Sequence, residues 1–210
     1  MESLPFAARG DVAAAAAAVE RALRSDGVVL LPTETFYGLA ADPRRPEAVA
    51  RVFALKSRPP DRRLLVLCSD WRQVESLCVV PESFRVRLSR SWPGPLTAVL
   101  PLLRPLAAAG DGPSLAVRIP GHDLLRALLY RVGPVTGTSA NRSGESPPTT
   151  ADEALAGLLG GPDLVLDGGT SAGGLASTLV DLMGATPRVL RQGAVSWGDD
   201  AFWQAAQRGG

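Results

Sequence analysis

Short apolar segments alternate with segments in which apolar residues recur every three or four positions. The first helical segment lies between Asp11, which can cap a helix, and Gly27, which can end it. Residues 28–32 follow as an unbroken apolar run, which is typical of a strand buried in the middle of a sheet. The pattern at the start of the chain therefore predicts a helix packed against a buried strand.

The alternation of helical and extended segments continues through the rest of the chain. Helices are predicted at about 46–57, 70–77, 81–91, 122–131, 152–159 and 199–207, and strands at 64–68, 96–100, 114–119, 134–139, 163–167, 177–182 and 188–191. This irregular alternation predicts an α/β fold with one twisted, mixed β-sheet flanked by helices. No repeat or linker divides the chain, so a single domain is expected over 1–210, with its core at about 12–195 and a C-terminal tail at 196–210.

The composition is that of an ordinary globular protein, and it argues against several classes of function. Apolar residues make up 46% of the 210 residues and charged residues 20%, while the net charge of +1 gives no general argument for binding nucleic acid or membranes. No apolar run reaches the roughly 18 residues that indicate a membrane span. Cys68 and Cys78 lack the spacing of a zinc site and are expected to be reduced thiols. The sequence therefore predicts a cytoplasmic protein without a structural metal.

The basic residues are distributed unevenly in both type and position. Of the 22 basic residues, 21 are arginine, and Lys56 is the single lysine. Between Arg44 and Arg72 there are eight basic and three acidic residues, which gives this segment a net charge of +5. Such a segment suits the phosphates of a nucleotide or of an RNA backbone, although it can also be a solvated surface.

Polar side chains collect where the predicted strands end. Because ligands of α/β proteins bind at strand ends, these side chains predict one pocket assembled from many loops. Six segments that are distant in sequence contribute to it: 33–37, Lys56 with Arg58, Thr97, Arg118, 138–144, and Ser177 with Thr178.

Each of these segments also has a purely structural interpretation. The threonines of "PTET" (32–35) can bond to their own backbone in a turn. Arg118 can lie on the solvated face of an edge strand, but it needs an anionic partner if it faces inward. The glycine-rich segment 168–174 can be a simple connector, or its N–H groups can approach a phosphate.

Several familiar catalytic motifs are missing from the chain. It has neither the phosphate-binding GxxxxGK[ST] loop nor the strand–GxGxxG–helix unit of dinucleotide-binding proteins. The single histidine, His122, is expected to cap a helix, and no Ser-His-Asp triad can be assembled around it. A site rich in cations and hydroxyls but without a general base favours catalysis by positioning and charge stabilisation, as in transfer at phosphorus.

Seven motifs in order give the chain a resemblance to the YrdC/TsaC family, the L-threonylcarbamoyladenylate synthases. This resemblance covers about 12–195 and implies a twisted α/β sheet around a large, positively charged cavity. The motifs are "PTETFYGLAAD" (32–42), "LKSRP" (55–59), "WPGPLT" (92–97), "AVRIPGH" (116–122), "TSANRSG" (138–144), "STLVD" (177–181) and "RQG" (191–193).

The resemblance implies that the protein forms L-threonylcarbamoyl-AMP from L-threonine, bicarbonate or CO2 and ATP, with Mg2+ accompanying ATP and pyrophosphate released. A partner complex would then transfer the threonylcarbamoyl group to tRNA. The implied threonine-binding residues are Thr33, Tyr37, Arg118, Thr138 and Ser177. The implied ATP-binding residues are Lys56 and Arg58, which would also be catalytic, and Thr97, Ser139, Ala140, Asn141, Ser143 and Arg191.

Two alternatives stay open from the sequence. The basic segment 44–72 can belong to a double-stranded RNA- or tRNA-binding module without catalysis. The chain can also be a carbamoyl-adenylate-forming relative. Arg63 and Leu64 stand where many members of the family have Pro-Leu, so the loop after Arg58 is expected to differ in shape or charge.

Overall fold

Residues 1–57, 63–142 and 144–197 are described by the structure, which is a computed structural model. These ranges contain six α-helices and eleven β-strands. The helices are α1 (Asp11–Arg24), α2 (Pro46–Leu55), α3 (Trp71–Leu77), α4 (Glu82–Ser91), α5 (Asp123–Val132) and α6 (Ala151–Gly157). The strands are β1 (Glu2–Pro5), β2 (Val29–Leu31), β3 (Gly38–Ala40), β4 (Val66–Leu67), β5 (Leu96–Pro101), β6 (Ser114–Arg118), β7 (Val135–Thr136), β8 (Thr138–Ser139), β9 (Leu164–Asp167), β10 (Thr178–Asp181) and β11 (Arg188–Arg191).

The strands form two mixed sheets. One sheet has five strands in the order β1-β9-β2-β3-β8, and the other has six in the order β11-β10-β5-β6-β4-β7. Both sheets contain parallel and antiparallel pairs, so the predicted mixed α/β fold is confirmed. The sequence predicted one sheet, whereas the structure has two. After β2 the chain turns back and forms the antiparallel strand β3 in the same sheet, and β4 then begins the other sheet.

Gly137 carries the chain from one sheet to the other. It separates β7, at the edge of the six-stranded sheet, from β8, at the edge of the five-stranded sheet. Its N–H donates to the carbonyl oxygen of Leu65 at 2.7 Å. A Cβ at this position would lie 2.7 Å from Cδ1 of Leu67, which is buried. Glycine is therefore required where the two sheets meet, and the single predicted strand at 134–139 divides there.

Several boundaries differ from the sequence-based expectations. Asp11 is the first residue of α1 rather than its cap, and its carboxylate accepts hydrogen bonds from the N–H groups of Ala7 and Ala8 at 2.9 and 2.8 Å. Helix α1 ends at Arg24, and the N–H of Gly27 bonds back to Ala22 at 2.8 Å. The pattern missed β1 and β3, which are short strands. The predicted helix at 199–207 lies outside the described residues.

The apolar core forms on both sides of the five-stranded sheet. One cluster includes Leu30 and Leu39 of this sheet together with Ala98, Val117 and Val180 of the six-stranded sheet. The second cluster lies under α1 and α5. Cys68 and Cys78 are free and buried in the first cluster, where burial raises the pKa of the Cys78 thiol to about 12. Among the described helices, none is both long enough and apolar enough to cross a membrane.

His122 caps helix α5, as the sequence predicts. Its Nδ1 accepts a hydrogen bond from the N–H of Leu125 at 3.2 Å, and its ring stacks on Phe6 with 6.2 Å between centroids. Burial lowers the pKa of His122 below its ordinary value, outweighing the charges of Glu34 and Asp123, which act in the opposite direction. Only the neutral ring can accept this bond, because a protonated Nδ1 is a donor.

This cap predicts a pH-dependent loss of stability. Since the pKa of His122 is lower in the folded state, its contribution is complete above the unfolded value of about 6.5 and is lost as the pH falls below it. A His122→Asn variant should cap the helix without titrating. The free energy of unfolding in urea should therefore fall more steeply between pH 7.5 and 5 for the wild type than for the variant. Parallel pH profiles would contradict the assignment.

Candidate functional site

One face of the six-stranded sheet carries a row of polar side chains. Leu179 pairs with Arg191 on one side and with Thr97 on the other. Ala98 pairs with Val117, so the adjacent Thr97 and Arg118 also lie side by side. Because side chains alternate between the faces of a sheet, Arg191, Thr97 and Arg118 point to one side while Ala98 and Val117 enter the core. Strand register thus brings together residues that are distant in sequence.

This row forms one wall of a cavity between the two sheets. The cavity has a volume of about 320 Å3. Strands β3 and β8 of the five-stranded sheet contribute to its lining, as does the turn that precedes β3. Its polar lining consists of Thr33, Thr35, Tyr37, Arg63, Thr97, Arg118, Thr138, Ser139, Ser177 and Arg191.

Thr33 organises the turn between β2 and β3. Its hydroxyl donates to the carbonyl oxygen of Phe36 at 2.8 Å and accepts from the N–H groups of Thr35 and Phe36 at 3.1 and 3.2 Å. The structural interpretation of "PTET" as a self-bonded turn is therefore confirmed. Thr33 also lines the cavity and is 8% exposed, so the turn presents this hydroxyl at the cavity wall.

Tyr37 fixes the glycine-rich segment against the same turn. Its hydroxyl donates to the carbonyl oxygen of Gly169 at 2.7 Å and accepts from the N–H of Gly168 at 3.0 Å. Burial raises the pKa of Tyr37 to about 12, so its hydroxyl is protonated at neutral pH. The N–H of Gly173 also bonds to the carbonyl oxygen of Thr35, at 2.8 Å. The segment after β9 is thus tied to the turn before β3.

Arg118 is buried and has the anionic partner that an inward orientation requires. Its Nη2 donates to Oε1 of Glu34, and its Nε donates to the carbonyl oxygen of Gly94 at 3.2 Å. Oε1 of Glu34 also accepts from the N–H of Gly121 at 2.8 Å, while Oε2 is buried and has no hydrogen-bond partner among the residues that the structure describes. Glu34 is not among the described residues that line the cavity. It therefore binds Arg118 on the side that faces away from the cavity.

Arg191, Ser177 and Thr97 form a connected group beside Arg118. The Arg191 Nη2 donates to the Ser177 carbonyl at 2.9 Å, and the Ser177 hydroxyl lies 2.9 Å from the Thr97 hydroxyl. Arg191 keeps an exposed surface at the sheet edge, yet its guanidinium rests on buried Ser177. Local burial and then the charge of Arg118 lower the pKa of Arg191. Two cations therefore face the same cavity.

Lys56 is not among the described residues that line the cavity, but it binds the segment 139–141 next to it. Its side chain is buried, and its ammonium donates to the carbonyl oxygens of Ser139 and Asn141, the latter at 2.6 Å. Ala140 and Asn141 line a neighbouring cavity of about 400 Å3, which shares Pro147 with the first. The lysine thus lies beneath the segment that joins the two cavities.

The structure brings most of the predicted site residues to one place. Eight of the thirteen line the 320 Å3 cavity: Thr33, Tyr37, Thr97, Arg118, Thr138, Ser139, Ser177 and Arg191. Lys56, Ala140 and Asn141 adjoin it as described above. Arg58 and Ser143 lie outside the described residues, so their positions, and the large positively charged cavity as a whole, stay predictions.

Three contributors, Glu34, Thr35 and Arg63, were not assigned a role from the sequence, and Thr35 lines the cavity beside Thr33. Glu34 pairs with Arg118, and Arg63 lines the cavity with its guanidinium bonded to Ser114. An inward-facing Arg118 implied an acidic partner. The pattern of apolar residues along the chain could not show which Asp or Glu this partner is. Arg63 was noted as a departure from the family motif that can change the charge of the loop, but the sequence did not place its side chain in the cavity.

The basic segment 44–72 is partly neutralised by ion pairs. Arg44 pairs with Asp42 at 2.7 Å, Arg51 pairs with Asp163 at 2.9 Å, and Arg45 pairs with Asp26. All three acidic partners lie outside the segment. Its formal charge of +5 therefore overstates the field that it presents to an RNA backbone.

A family model described as "Telomere recombination" (Sua5_yciO_yrdC) matches residues 21–193. The chain is 36% identical over 177 residues to a threonylcarbamoyl-AMP synthase of Pyrococcus abyssi and 38% identical over 180 residues to one of Bacillus subtilis. These matches cover 82% and 83% of this chain, but the chain spans about half of each relative, 52% in both cases. A protein of Mycobacterium tuberculosis described as a putative threonylcarbamoyl-AMP synthase is 38% identical, with 83% and 82% of the two chains covered.

Solved structures share the fold. P. abyssi Sua5 in complex with L-threonine is similar with a TM-score of 0.81 and 33% identity, over 91% of this chain and 57% of that one. Escherichia coli YciO has a TM-score of 0.78 at 22% identity, covering 93% of this chain and 96% of that one. At 22% identity, the similarity to YciO shows a shared fold only. The similarity to Sua5 is one of both fold and sequence.

The Glu34–Arg118 pair predicts unequal effects of two substitutions. Glu34→Ala leaves a buried guanidinium without its counter-charge and should destabilise the protein by about 3–5 kcal/mol. Glu34→Gln keeps an acceptor for Arg118 and should cost less, about 1–3 kcal/mol. Urea unfolding of both variants measures the difference.

A double variant serves as the control. Glu34→Ala combined with Arg118→Met removes both charges and should recover part of the stability lost in Glu34→Ala alone. Equal stability of Glu34→Ala and the wild type would show that the pair does not support the site.

Proposed function

This chain belongs to the Sua5/YciO/YrdC family, and we propose that it forms L-threonylcarbamoyl-AMP from L-threonine, bicarbonate or CO2, and ATP, releasing pyrophosphate. It would act as a nucleotidyltransferase. The observation that carries this proposal is the cavity that hydroxyls and the guanidiniums of Arg118 and Arg191 line together. The relationship to proteins described as threonylcarbamoyl-AMP synthases, and to a Sua5 described in complex with L-threonine, supports it.

The reaction joins two negatively charged reactants. The free amine of threonine would add to CO2, losing a proton to give a carbamate. A carbamate oxygen would then attack the α-phosphorus of ATP, and the bond to the β-phosphate oxygen would break with its electron pair leaving on pyrophosphate. Cations that neutralise the attacking carbamate and the phosphates would lower the barrier to this step.

We assign Arg118 to the threonine carboxylate. It lines the cavity, and its Nη1 has no hydrogen bond within the described ranges, since Glu34 and Gly94 occupy Nη2 and Nε. A guanidinium edge of this kind binds a carboxylate through two parallel hydrogen bonds. The hydroxyls that would surround the rest of the amino acid are those of Thr33, Tyr37, Thr138 and Ser177.

We assign the nucleotide to Thr97, Arg191 and the segment 139–141, with Ser143 as a further predicted contact. Lys56 would fix this segment through the Ser139 and Asn141 carbonyls and would place its positive charge beneath the phosphates, with Arg58 as a second cation. The described ranges contain no group of three or more His, Cys, Asp or Glu side chains that could hold a metal ion. Mg2+ would therefore enter with ATP, held mainly by phosphate oxygens.

The product would be passed to a complex that transfers the threonylcarbamoyl group to tRNA, and we place the reaction in the cytoplasm. The two alternatives have less support. Ion pairs neutralise part of the basic segment that would bind RNA. A solved structure of HypF in a phosphate- and nucleotide-bound form has a TM-score of 0.73 at 22% identity and therefore shows only the fold.

The proposal predicts amino-acid-dependent release of pyrophosphate. Purified protein with Mg-ATP and bicarbonate should release pyrophosphate with L-threonine and much more slowly with each of the other amino acids. Omitting bicarbonate from degassed buffer should lower the rate. Release that is equal for all amino acids, or that needs no amino acid, would reject threonine as the substrate.

A Lys56→Met variant tests the lysine. It keeps the length and apolar stem of the side chain but removes the ammonium, and pyrophosphate release should fall by about 100-fold or more. Arg51→Met on the same helix removes an exposed ion pair with Asp163 and should retain the wild-type rate. Circular dichroism verifies that both variants are folded. Wild-type turnover in folded Lys56→Met would refute the role.

A further inference from the structure

Arg63 is a third cation at the cavity, next to Arg118 and Arg191. It lies between α2 and β4, and the N–H of the adjacent Leu64 bonds to the carbonyl oxygen of Ala108 at 2.9 Å. The backbone at Arg63 is therefore attached to the protein core. The side chain itself is exposed at the cavity rim, where a free arginine would ordinarily sample many conformations.

Two contacts hold the Arg63 guanidinium in one orientation. Its Nη1 donates to the hydroxyl of Ser114 at 2.6 Å, and Ser114 is buried at the start of β6. The guanidinium also lies close to Gly112, where a Cβ would be 2.5 Å from Cζ and 2.8 Å from Nε. A glycine thus provides the space that the guanidinium occupies, and a buried hydroxyl fixes one of its edges.

The charge of Arg63 is not matched by a carboxylate. Within 1–57, 63–142 and 144–197, no acidic side chain lies within ion-pair distance of it, whereas Arg118 has Glu34. In the same ranges, the side-chain hydrogen bonds of Arg191 go only to Ser177, a neutral residue. An ordered guanidinium without a counter-charge, facing a cavity that contains a second such cation, is suited to a polyanionic ligand.

We infer that Arg63 binds the phosphate chain of the nucleoside triphosphate and the pyrophosphate that leaves from it. This inference rests on the proposed function, because it takes Arg118 as the partner of the threonine carboxylate and leaves Arg63 and Arg191 for the phosphates. A triphosphate carries more charge than an amino acid, which is zwitterionic, so two uncompensated arginines favour the nucleotide over threonine.

The first experiment measures binding by isothermal titration calorimetry, separately for Mg-ATP, inorganic pyrophosphate and L-threonine. Arg63→Ala should weaken binding of Mg-ATP and pyrophosphate by about tenfold or more, the loss expected for a charged hydrogen bond, and should leave threonine binding within about twofold. Arg63→Lys should recover only part of the loss, because an ammonium cannot bond to both Ser114 and a phosphate in the same geometry. Arg104→Ala, an exposed arginine in the β5–β6 connection, should match the wild type.

A second variant fills the space that the guanidinium occupies and leaves Arg63 itself unchanged. The backbone of Gly112 is not left-handed, so Gly112→Ala is compatible with the fold, and the flexible end of Arg63 can move away from the new methyl group. Gly112→Ala should weaken Mg-ATP and pyrophosphate binding in the wild-type background but have no further effect in the Arg63→Ala background. Thermal unfolding should show that each variant is folded.

The outcomes separate this inference from the proposed function. Unchanged Mg-ATP and pyrophosphate affinities in Arg63→Ala, or an equal loss of threonine affinity, would overturn the role of Arg63 even if the wild type releases pyrophosphate. A wild type that releases no pyrophosphate with any amino acid, but whose phosphate binding depends on Arg63 and Gly112, would reject the proposed reaction and support the inference. A wild type that binds neither Mg-ATP nor pyrophosphate would overturn both.

Discussion

A guanidinium between two packed sheets needs a counter-charge, and the Glu34–Arg118 pair meets this requirement. The Arg118 side chain is 5% exposed, so an unpaired charge there would oppose folding. Glu34 comes from the turn after β2, and Arg118 ends β6, so their ion pair joins the two sheets beside the cavity, which Arg118 lines and Glu34 does not. The same Glu34 oxygen also accepts from Gly121 and thereby fixes the chain that follows β6. The position of the cavity wall depends on this one carboxylate.

Sequence patterns predicted most of the regular structure because most of it is locally encoded. The apolar run at 28–32 and the helical spacing before it are signals within a few residues. β1 gave no such signal, since it is an exposed edge strand that forms only by parallel pairing with β9, about 160 residues away. The division into two sheets depends on Gly137, whose need for space arises from Leu67 in another strand. The spacing of apolar residues within one segment does not predict such contacts between distant segments.

In the candidate site, too, the sequence indicated which types of residue take part but not how they are arranged. Clustering of hydroxyls and cations at strand ends indicated a shared pocket, and the register of β5, β6 and β10 explains why Thr97, Arg118 and Arg191 meet. The sequence could not show that the Lys56 ammonium bonds to main-chain carbonyls, because any buried lysine needs acceptors and the chain offers many. The departure from the family motif drew attention to Arg63, but it could not show that Ser114 and the space at Gly112 hold the guanidinium at the cavity.

The glycine-rich segment after β9 is held through its main chain. Tyr37 bonds to the N–H of Gly168, the Thr149 carbonyl accepts from Ser171, and the Thr35 carbonyl accepts from Gly173. The exposed side chains of this segment take no part in these bonds. Substitution of the exposed side chains of Thr170 and Ala172 therefore leaves these bonds in place, whereas a proline at position 168, 171 or 173 would remove one of them.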